Sequence, residues 1–281
     1  EEVNATGRVL ESDLVWLNRD GTRESIDVLR QPFSWPQISP NGEYLLVLDY
    51  EFEIYKTDTW ERVYSDDISS TDGSYYPAQD ISWSGDGERL VIATGYEGGK
   101  MYEGPDWQEV TGTTSNGYYV THHPLEDTLW YLSTDGTVAK FELQNVPFVG
   151  ESWVQVQTYT TENSEYGRMS ISPSGNLILV NVGWYGNRVY TSSSFELEFT
   201  AYGTSPVFSS SGSHLLYQTY NSGYEIYSTD VWSRTSQIDE ETTSNYYAAL
   251  SFSSDNDEII SLVDGGRYGE IAFMAMKPDS D

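Results

Sequence analysis

The side chains best suited to acid–base or metal chemistry are three histidines, His122, His123 and His214, together with 44 Asp and Glu residues. His122 and His123 are adjacent, and adjacent residues of a strand point to opposite faces, so one metal ion would not easily bind both. His123 occupies a turn position where serine stands elsewhere in the chain, which favours a local polar role. His214 follows a turn and is expected at the surface. The histidines therefore predict no catalytic or metal site.

Nucleophile and cofactor motifs are missing from the sequence. The chain has no Cys, which excludes disulfides, thiolate zinc sites and cysteine nucleophiles. There is no Gly-x-Ser-x-Gly elbow and no phosphate-binding glycine loop. Asp255-Asn256-Asp257 and Thr71-Asp72-Gly73 carry oxygen ligands that suit Ca²⁺, but both occur where turns are expected, and turn chemistry explains them. We therefore predict no cofactor, with calcium as the alternative.

The charge balance is strongly acidic, with 44 acidic residues against 14 Lys and Arg and a formal net charge of −30. A field of this sign repels phosphate backbones, so nucleic acid is excluded as a partner. The acidic residues are interleaved with regular apolar patterns, and we interpret them as a solvated surface. Because molar salt shortens the Debye length to about 3 Å, the composition favours a halophilic protein over an ordinary acidic secreted protein.

Two features bear on location. No stretch approaches the roughly 18 consecutive apolar residues of a membrane span. The chain starts at Glu1 with neither an initiator Met nor an apolar signal segment, which fits a mature protein after signal removal, although a trimmed chain would look the same. The predicted location is extracellular or at the cell surface.

A repeat of turn, apolar strand, alternating strand and aromatic residue runs along the chain. Its turns align at Pro40, Gly85, Pro124, Pro173, Ser210 and Ser254, at intervals of 45, 39, 49, 37 and 44 residues. Pro fixes the corner of such a turn, and Gly or Asn tolerates the left-handed position after it. A single four-stranded meander cannot bury both faces, so stacked copies must cover one another. The prediction is an all-β propeller of four-stranded blades, with residues 1–281 as one domain.

The ends of the chain bear on blade count and closure. Six turns favour six blades. The last repeat supplies three strands and stops, while the N-terminus offers two strands, over Asp13–Asn18 and Arg23–Leu29. We expect an N-terminal strand to complete the last blade, since this would remove an exposed edge. One strand is then left over, so seven blades with an incomplete first blade is the alternative.

The repeats resemble a known family. The run Asp13-Leu14-Val15-Trp16-Leu17-Asn18-Arg19-Asp20-Gly21, followed by Ile38-Ser39-Pro40-Asn41-Gly42-Glu43-Tyr44-Leu45, is similar to the repeats of TolB-type, WD40-like propellers. The resemblance covers nearly the whole chain through its Ser-Pro-x-Gly turns and is degenerate at His123 and Ser254. It implies the propeller fold and a role as an interaction scaffold, since enzymatic relatives are scattered.

Aromatic residues collect in particular loops. If the strands of each blade are lettered A to D, the D–A and B–C loops of a propeller open on one face, and the A–B and C–D loops open on the other. Rigid aromatic side chains with polar tips are favoured at interfaces, so the D–A and B–C face is predicted to bind a partner. The alternative is a structural role, in which the same rings fill the central funnel of the propeller and pack between blades. The candidate residues are Trp35, Tyr76, Tyr96, Tyr119, Tyr166, Trp184, Tyr185, Tyr224, Tyr247 and Tyr268.

A second aromatic series is more regular and has a different interpretation. One member stands near the start of strand D in each repeat, which indicates packing between blades. The series is Trp60, Trp107, Trp153, Phe195 and Trp232.

Three functions remain open on the sequence. The first is a non-catalytic scaffold that binds a protein partner or assembles with itself through the aromatic face. The second is an extracellular carbohydrate-binding propeller whose rings stack on sugars. The third is a glycan hydrolase or lyase with carboxylates at the channel mouth. A hydrolase needs two carboxyl groups about 5–10 Å apart, which sequence spacing across blades does not reveal.

Overall fold

The computed structural model describes residues 14–17, 23–26, 35–48, 51–67, 80–95, 98–110, 117–147, 149–161, 168–182, 186–219, 223–239, 249–252, 258–263 and 270–275. These residues form strands, turns and bends, and none of them belongs to a helix long and apolar enough to cross a membrane. The chain divides into two compact units, residues 1–116 and 117–281.

The first unit contains a hairpin and two blades. The hairpin strands β1 (Leu14–Leu17) and β2 (Arg23–Ile26) pair antiparallel. The first blade consists of β3 (Trp35–Ile38), β4 (Tyr44–Leu48), β5 (Glu51–Lys56) and β6 (Arg62–Asp67). The second blade consists of β7 (Asp80–Trp83), β8 (Arg89–Ala93), β9 (Gly99–Glu103) and β10 (Gln108–Val110). Within each blade, neighbours in sequence are neighbours in the sheet, which makes it an antiparallel meander.

The second unit contains three blades and a shorter sheet. The third blade is β11 (Tyr119–His122), β12 (Thr128–Leu132), β13 (Thr137–Val146) and β14 (Gly150–Thr160). The fourth is β15 (Met169–Ile171), β16 (Leu177–Asn181), β17 (Asn187–Thr191) and β18 (Leu197–Ala201). The fifth is β19 (Gly203–Phe208), β20 (His214–Thr219), β21 (Gly223–Ser228) and β22 (Arg234–Asp239). The last sheet is β23 (Ala249–Phe252), β24 (Glu258–Val263) and β25 (Glu270–Ala275).

The four-stranded antiparallel repeat predicted from the sequence is confirmed. Five sheets of the described residues have four strands, and the last sheet has the three strands expected at the end of the chain. Each predicted apolar strand B is present, from β4 to β24. Strands β1 and β2 form a separate two-stranded sheet. Ring closure by an N-terminal strand, the number of blades and the single domain therefore stay predictions.

The A–B turns of the first two blades share one hydrogen-bonding scheme. In the first blade Ser39 Oγ donates to Asn41 Oδ1 at 2.6 Å and accepts from Tyr44 N at 2.9 Å. Gly42 takes the left-handed φ of 76° that closes the turn. In the second blade Ser84 and Asp86 repeat the scheme. The Ser-x-Asx-Gly pattern is therefore a self-contained turn that connects strands A and B.

The core lies between blades. In the first unit, Leu46 and Ile54 of the first blade form one buried cluster with Leu90, Ile92 and Trp107 of the second. In the second unit, one cluster joins the third and fourth blades around Trp130, Ile178 and Val180, and another joins the fourth and fifth around Leu179, Val189, Phe208 and Leu215. Stacking of blades therefore buries the apolar faces, as the repeat requires.

The regular aromatic series stabilises these stacks. Trp107 is fully buried and meets Tyr44 of the preceding blade edge-on, with ring centroids 4.9 Å apart. Trp232 stacks on Phe199 of the preceding blade at 4.6 Å, and Phe195 lies parallel to Trp130 at 6.2 Å. The predicted packing between blades is thus confirmed for Trp107, Phe195 and Trp232.

The backbone of this series adds a feature that the sequence did not show. Trp60, Trp107, Phe195 and Trp232 have φ angles of 56°, 52°, 57° and 51°, in the left-handed region that non-glycine residues rarely adopt. Each lies in the C–D turn, one or two residues before strand D begins. The Trp107 ring is buried, and the other three rings are half-buried against core clusters of the blades.

Trp153 differs from the rest of its series. It lies inside β14 and pairs with Leu143 of β13, because the C–D connection of the third blade is a long hairpin. Beyond this pair the two strands continue to the Val146–Gly150 pair, which projects about 10 Å at 3.4 Å per residue. Trp153 is 5% exposed and meets His122 edge-on at 6.3 Å, so its packing is within its own blade.

Candidate functional site

The structure describes three of the ten candidate residues. Trp35 is the first residue of β3, Tyr119 is the first residue of β11, and Tyr224 lies in β21. The other seven lie outside the described residues, so the aromatic face as a whole stays a prediction. These seven are Tyr76, Tyr96, Tyr166, Trp184, Tyr185, Tyr247 and Tyr268.

Two of the candidates contribute to packing. Tyr119 is half-buried and packs against the core cluster of the third and fourth blades. Tyr224 is only 1% exposed, so a partner could not contact its ring without opening the blade. Both residues stand at the beginning of a strand, where alternate side chains point into the sheet packing. The sequence assigned them to loops and did not reveal this alternation.

Tyr202 is the exposed aromatic residue that the structure describes at the D–A and B–C end. It is the single residue between β18 and β19, and it is 67% exposed, whereas its neighbours Ala201 and Gly203 are buried. A buried residue on each side presents the phenol ring outward from a connection of minimal length. By its position in the repeat Tyr202 also falls in a D–A loop, but it is not among the ten candidate residues.

The backbone around Tyr202 is closely packed on both sides. The side-chain amide of Asn187, which is fully buried, donates to the Gly203 carbonyl oxygen at 3.0 Å. A Cβ on Gly203 would lie 2.1 Å from the Gln218 carbonyl oxygen, and a Cβ on Gly186 would lie 2.6 Å from that of Ala201. Only glycine fits these two positions. Tyr202 is therefore held on a rigid connection.

Tyr202 also marks where the B–C loop of the fourth blade ends. A Cβ on Gly186 would be 3.5 Å from Cδ1 of the Tyr202 ring. Trp184 and Tyr185 directly precede Gly186 in the sequence. The D–A and B–C connections thus meet at Tyr202, as the predicted arrangement of loops requires.

Apolar residues are exposed at the opposite end, where the sequence predicted no binding surface. Leu125 is 73% exposed in an A–B turn and Val231 is 68% exposed in a C–D turn. The sequence contains a signal for this exposure, because an apolar residue replaces a polar turn residue at both positions. Leu125 aligns with Asn41 and Asp86 of other A–B turns, and Val231 aligns with Thr59, the residue before Trp60. Val149 of a C–D connection and Leu197, the first residue of β18, are further exposed apolar residues.

The histidines have local structural contacts. The Leu125 N–H donates to His123 Nδ1 at 3.2 Å, so Nε2 carries the proton and donates to the Gly175 carbonyl oxygen of the fourth blade at 3.0 Å. This confirms the predicted polar role. His214 bonds to Ser213 Oγ at 2.9 Å. Within the ranges that the structure describes, no three His, Asp or Glu side chains converge to hold a metal ion.

Among the described residues, Glu225 is a carboxylate held by more than one hydrogen bond. It accepts from Tyr217 Oη at 2.6 Å and from Arg234 Nη1 at 2.9 Å. Burial alone would raise the pKa of Glu225, but the hydrogen bonds from Tyr217 and Arg234 outweigh it and hold the pKa below its usual value. Glu53 has a similar pair in Tyr55 and Arg62. A carboxylate kept ionised in this way is poorly suited to donate a proton as a general acid.

Comparisons with known proteins define the fold. No protein-family model matches the chain, and no curated protein matches it in sequence. A chain of a structure described as the mitotic checkpoint complex is 15% identical, with a TM-score of 0.65 over 87% of this chain and 76% of that one. The β-propeller domain of Myceliophteria thermophila Cps50 (Swd1) is 12% identical, with a TM-score of 0.64 over 89% of this chain and 86% of that domain.

The chain therefore has a WD40-like β-propeller fold. At these identities the likeness concerns the fold alone. It agrees with the WD40-like part of the resemblance noted in the sequence, while the TolB-type assignment stays a prediction.

Proposed function

We propose that this protein is a non-catalytic propeller scaffold that binds a protein partner through the end formed by its D–A and B–C loops. The observation that carries the proposal is Tyr202, a rigidly held tyrosine that is 67% exposed at that end. A preorganised aromatic side chain loses little conformational freedom on binding, and tyrosine is enriched among the residues that dominate interfaces.

Two further observations support a protein partner. Seven candidate aromatic residues fall in the same set of loops by sequence, and Trp184 and Tyr185 directly precede Gly186 beside Tyr202. One similar structure is, by its name, an assembly of proteins, the mitotic checkpoint complex. Propellers commonly present loops on a rigid framework in this way.

The proposed setting is the outside of the cell or its surface, at high salt. The net charge of −30 supports the high-salt part of this proposal, because the self-repulsion of such a chain is strong in dilute solution and largely screened at molar salt. The loop end would then make its contacts mainly through aromatic area and uncharged hydrogen bonds, since long-range electrostatic attraction is screened as well.

The test compares Tyr202→Ala with Val231→Ala, an exposed apolar residue of the other end. Both variants and the wild-type protein are immobilised and exposed to native extract at molar salt, and bound proteins are quantified by mass spectrometry. We expect at least one protein to be retained by the wild type and by Val231→Ala and to drop about tenfold with Tyr202→Ala. Equal retention by all three would contradict the proposal.

A glycan panel separates the carbohydrate alternative. Saturable quenching of Trp fluorescence by one glycan, lost in Tyr202→Ala, would assign the loop end to a sugar and overturn the protein partner. Turnover of any glycoside with a bell-shaped pH profile would overturn the non-catalytic part.

A further inference from the structure

The outer edge of the third blade differs from the other blade edges. Strand D is the last strand of each four-stranded sheet, so its outer N–H and C=O groups have no strand partner within that sheet. In the third blade this strand is β14, which has eleven residues, Gly150–Thr160. Proteins commonly keep edge strands short or charged, because a long uncharged edge is a template for another strand.

The other edge strands follow that rule. β10 has three residues and β18 has five, including Glu198. β6 and β22 have six residues each and carry both Arg and Asp. β14 carries one charged side chain, Glu151, and its remaining sequence, Ser-Trp-Val-Gln-Val-Gln-Thr-Tyr-Thr, is uncharged. In a chain with 44 acidic residues, this edge is long and nearly uncharged.

The surroundings of β14 hold it in place without using its edge. The ring of Tyr159 stacks on Phe195 of the fourth blade at 4.6 Å. The Gln155, Gln157, Thr158 and Thr160 side chains are exposed. In β6, β18 and β22 the bulge falls at the second residue, at Val63, Glu198 and Thr235, whereas in β14 it falls at Val156, the seventh residue. Length and lack of charge also distinguish β14 from the other D strands.

The charge and sequence of β14 favour a second copy as the occupant. Two copies of a chain with a net charge of −30 can approach most easily where the surface is least charged. With a two-fold axis at Gln157, antiparallel pairing sets Gln157 opposite itself. The bulge at Val156 adds one residue on that side of the axis, so Gln155 comes to lie opposite Thr158. These pairs are uncharged, and like charges placed directly opposite each other would destabilise the sheet.

We propose that two copies of this protein associate through antiparallel pairing of their β14 strands, which joins two third blades into one eight-stranded sheet. This is strand addition at a sheet edge, with main-chain hydrogen bonds supplying the affinity and the uncharged side chains supplying the register. The surface is separate from the loop end proposed for the protein partner, and it rests on different residues.

The test measures the dimerisation constant by sedimentation at about 0.5 M NaCl for the wild type and two double variants. These are Gln155→Glu/Gln157→Glu and Gln155→Lys/Gln157→Lys. We expect the wild type to dimerise, each variant alone to dimerise at least tenfold more weakly because like charges face each other, and an equimolar mixture to recover dimerisation as opposite charges meet. Circular dichroism checks that each variant is folded.

A matched control separates the edge from a general charge effect. Gln108→Lys/Gln144→Lys makes the same change at two exposed glutamines outside β14, and it should dimerise like the wild type, as should Tyr202→Ala. A wild-type protein that is monomeric at 0.1 mM, a control that is weakened equally, or a mixture that fails to recover would each overturn the β14 interface. Protection of β14 amides only on adding a different protein would assign the edge to that protein and overturn self-pairing.

Discussion

At the residue scale, the left-handed tryptophans make a prediction that reverses the usual order of Ala and Gly. Trp107→Ala should cost about 3–5 kcal/mol through lost burial. Trp107→Gly should be about 1 kcal/mol more stable than the Ala variant, because glycine relieves the strain at a φ of 52°. Urea unfolding of both variants measures the difference.

Trp153 provides the matched control for this prediction. It is buried, but it lies in the regular strand β14 and is not among the residues of positive φ. Trp153→Gly should therefore be less stable than Trp153→Ala. If the Gly variant is less stable than the Ala variant at both Trp107 and Trp153, the left-handed backbone does not determine which variant is more stable.

Glu225 gives a pH-dependent prediction at the same scale. Its pKa is lowered, since the hydrogen bonds from Tyr217 and Arg234 outweigh the effect of burial. A lowered pKa stabilises the fold above the unfolded value of about 4.3, and this contribution is lost as the pH falls through the folded pKa. Glu225→Gln should cost up to about 1 kcal/mol at pH 7, and the gap to the wild type should close below about pH 4.

The measurement is urea unfolding between pH 3 and pH 7, with Glu198→Gln as the control. Glu198 is an exposed carboxylate on β18 of the same unit, and its replacement should change the free energy of unfolding little at any pH. If the difference in free energy of unfolding between Glu225→Gln and the wild type grows as the pH falls, the assigned hydrogen bonds are contradicted.

Residue identities in turns were predictable, but their exposure was not. Ser39, Ser84 and the turn glycines form the turns that their pattern indicates. Tyr224 and Tyr202 both belong to the aromatic loops in sequence, yet one is 1% exposed and the other 67%. The difference arises because Tyr224 lies inside β21, whereas Tyr202 lies between two strands. The sequence does not define strand ends to within one residue.

At the element scale, the long hairpin of the third blade should be dispensable for folding. The pairs beyond Leu143 and Trp153 project past the blade and pack on no core cluster among the described residues. Replacing residues 144–152 by Asn-Gly, which favours a two-residue hairpin turn, should leave the melting temperature within a few degrees of the wild type. Unfolding or a large drop on calorimetry would show that the projecting arm carries stability.

The sequence contained the signal for this hairpin, but its form could not be deduced. The interval from Pro124 to Pro173 is 49 residues, the longest between successive turns. An interval does not show which loop holds the extra residues. By sequence, Trp153 is equivalent to Trp107, because both are tryptophans at similar positions in their repeats. In the structure Trp153 lies in a strand, whereas Trp107 lies in a left-handed turn.

At the whole-molecule scale, the net charge of −30 predicts a stability that depends on salt. The melting temperature should rise clearly between 0.1 M and 2 M NaCl as self-repulsion is screened. Sorbitol at equal osmolality is the control for general exclusion effects, and it should give a smaller rise. A melting temperature that does not change with NaCl would contradict adaptation to high salt and favour an ordinary acidic protein.

The architecture was predictable because many weak signals repeat. Four-stranded meanders, their turns and the packing between blades follow from periodic residues such as Ser39, Ser84 and Ser172. Closure depends on the relation between strands at opposite ends of the chain, and the partner depends on the arrangement of loops around Tyr202. Neither relation is repeated, so neither leaves a periodic signal in the sequence.

The most direct test of the central claim is photo-crosslinking from two single positions. A photoreactive phenylalanine analogue replaces Tyr202 in one variant and Val231 in the other, and each is irradiated in native extract at molar salt. The proposed loop-end scaffold predicts a discrete, saturable protein adduct from position 202 and none from position 231. No adduct at 202, or the same adduct from both positions, would contradict a protein-binding surface at the Tyr202 end.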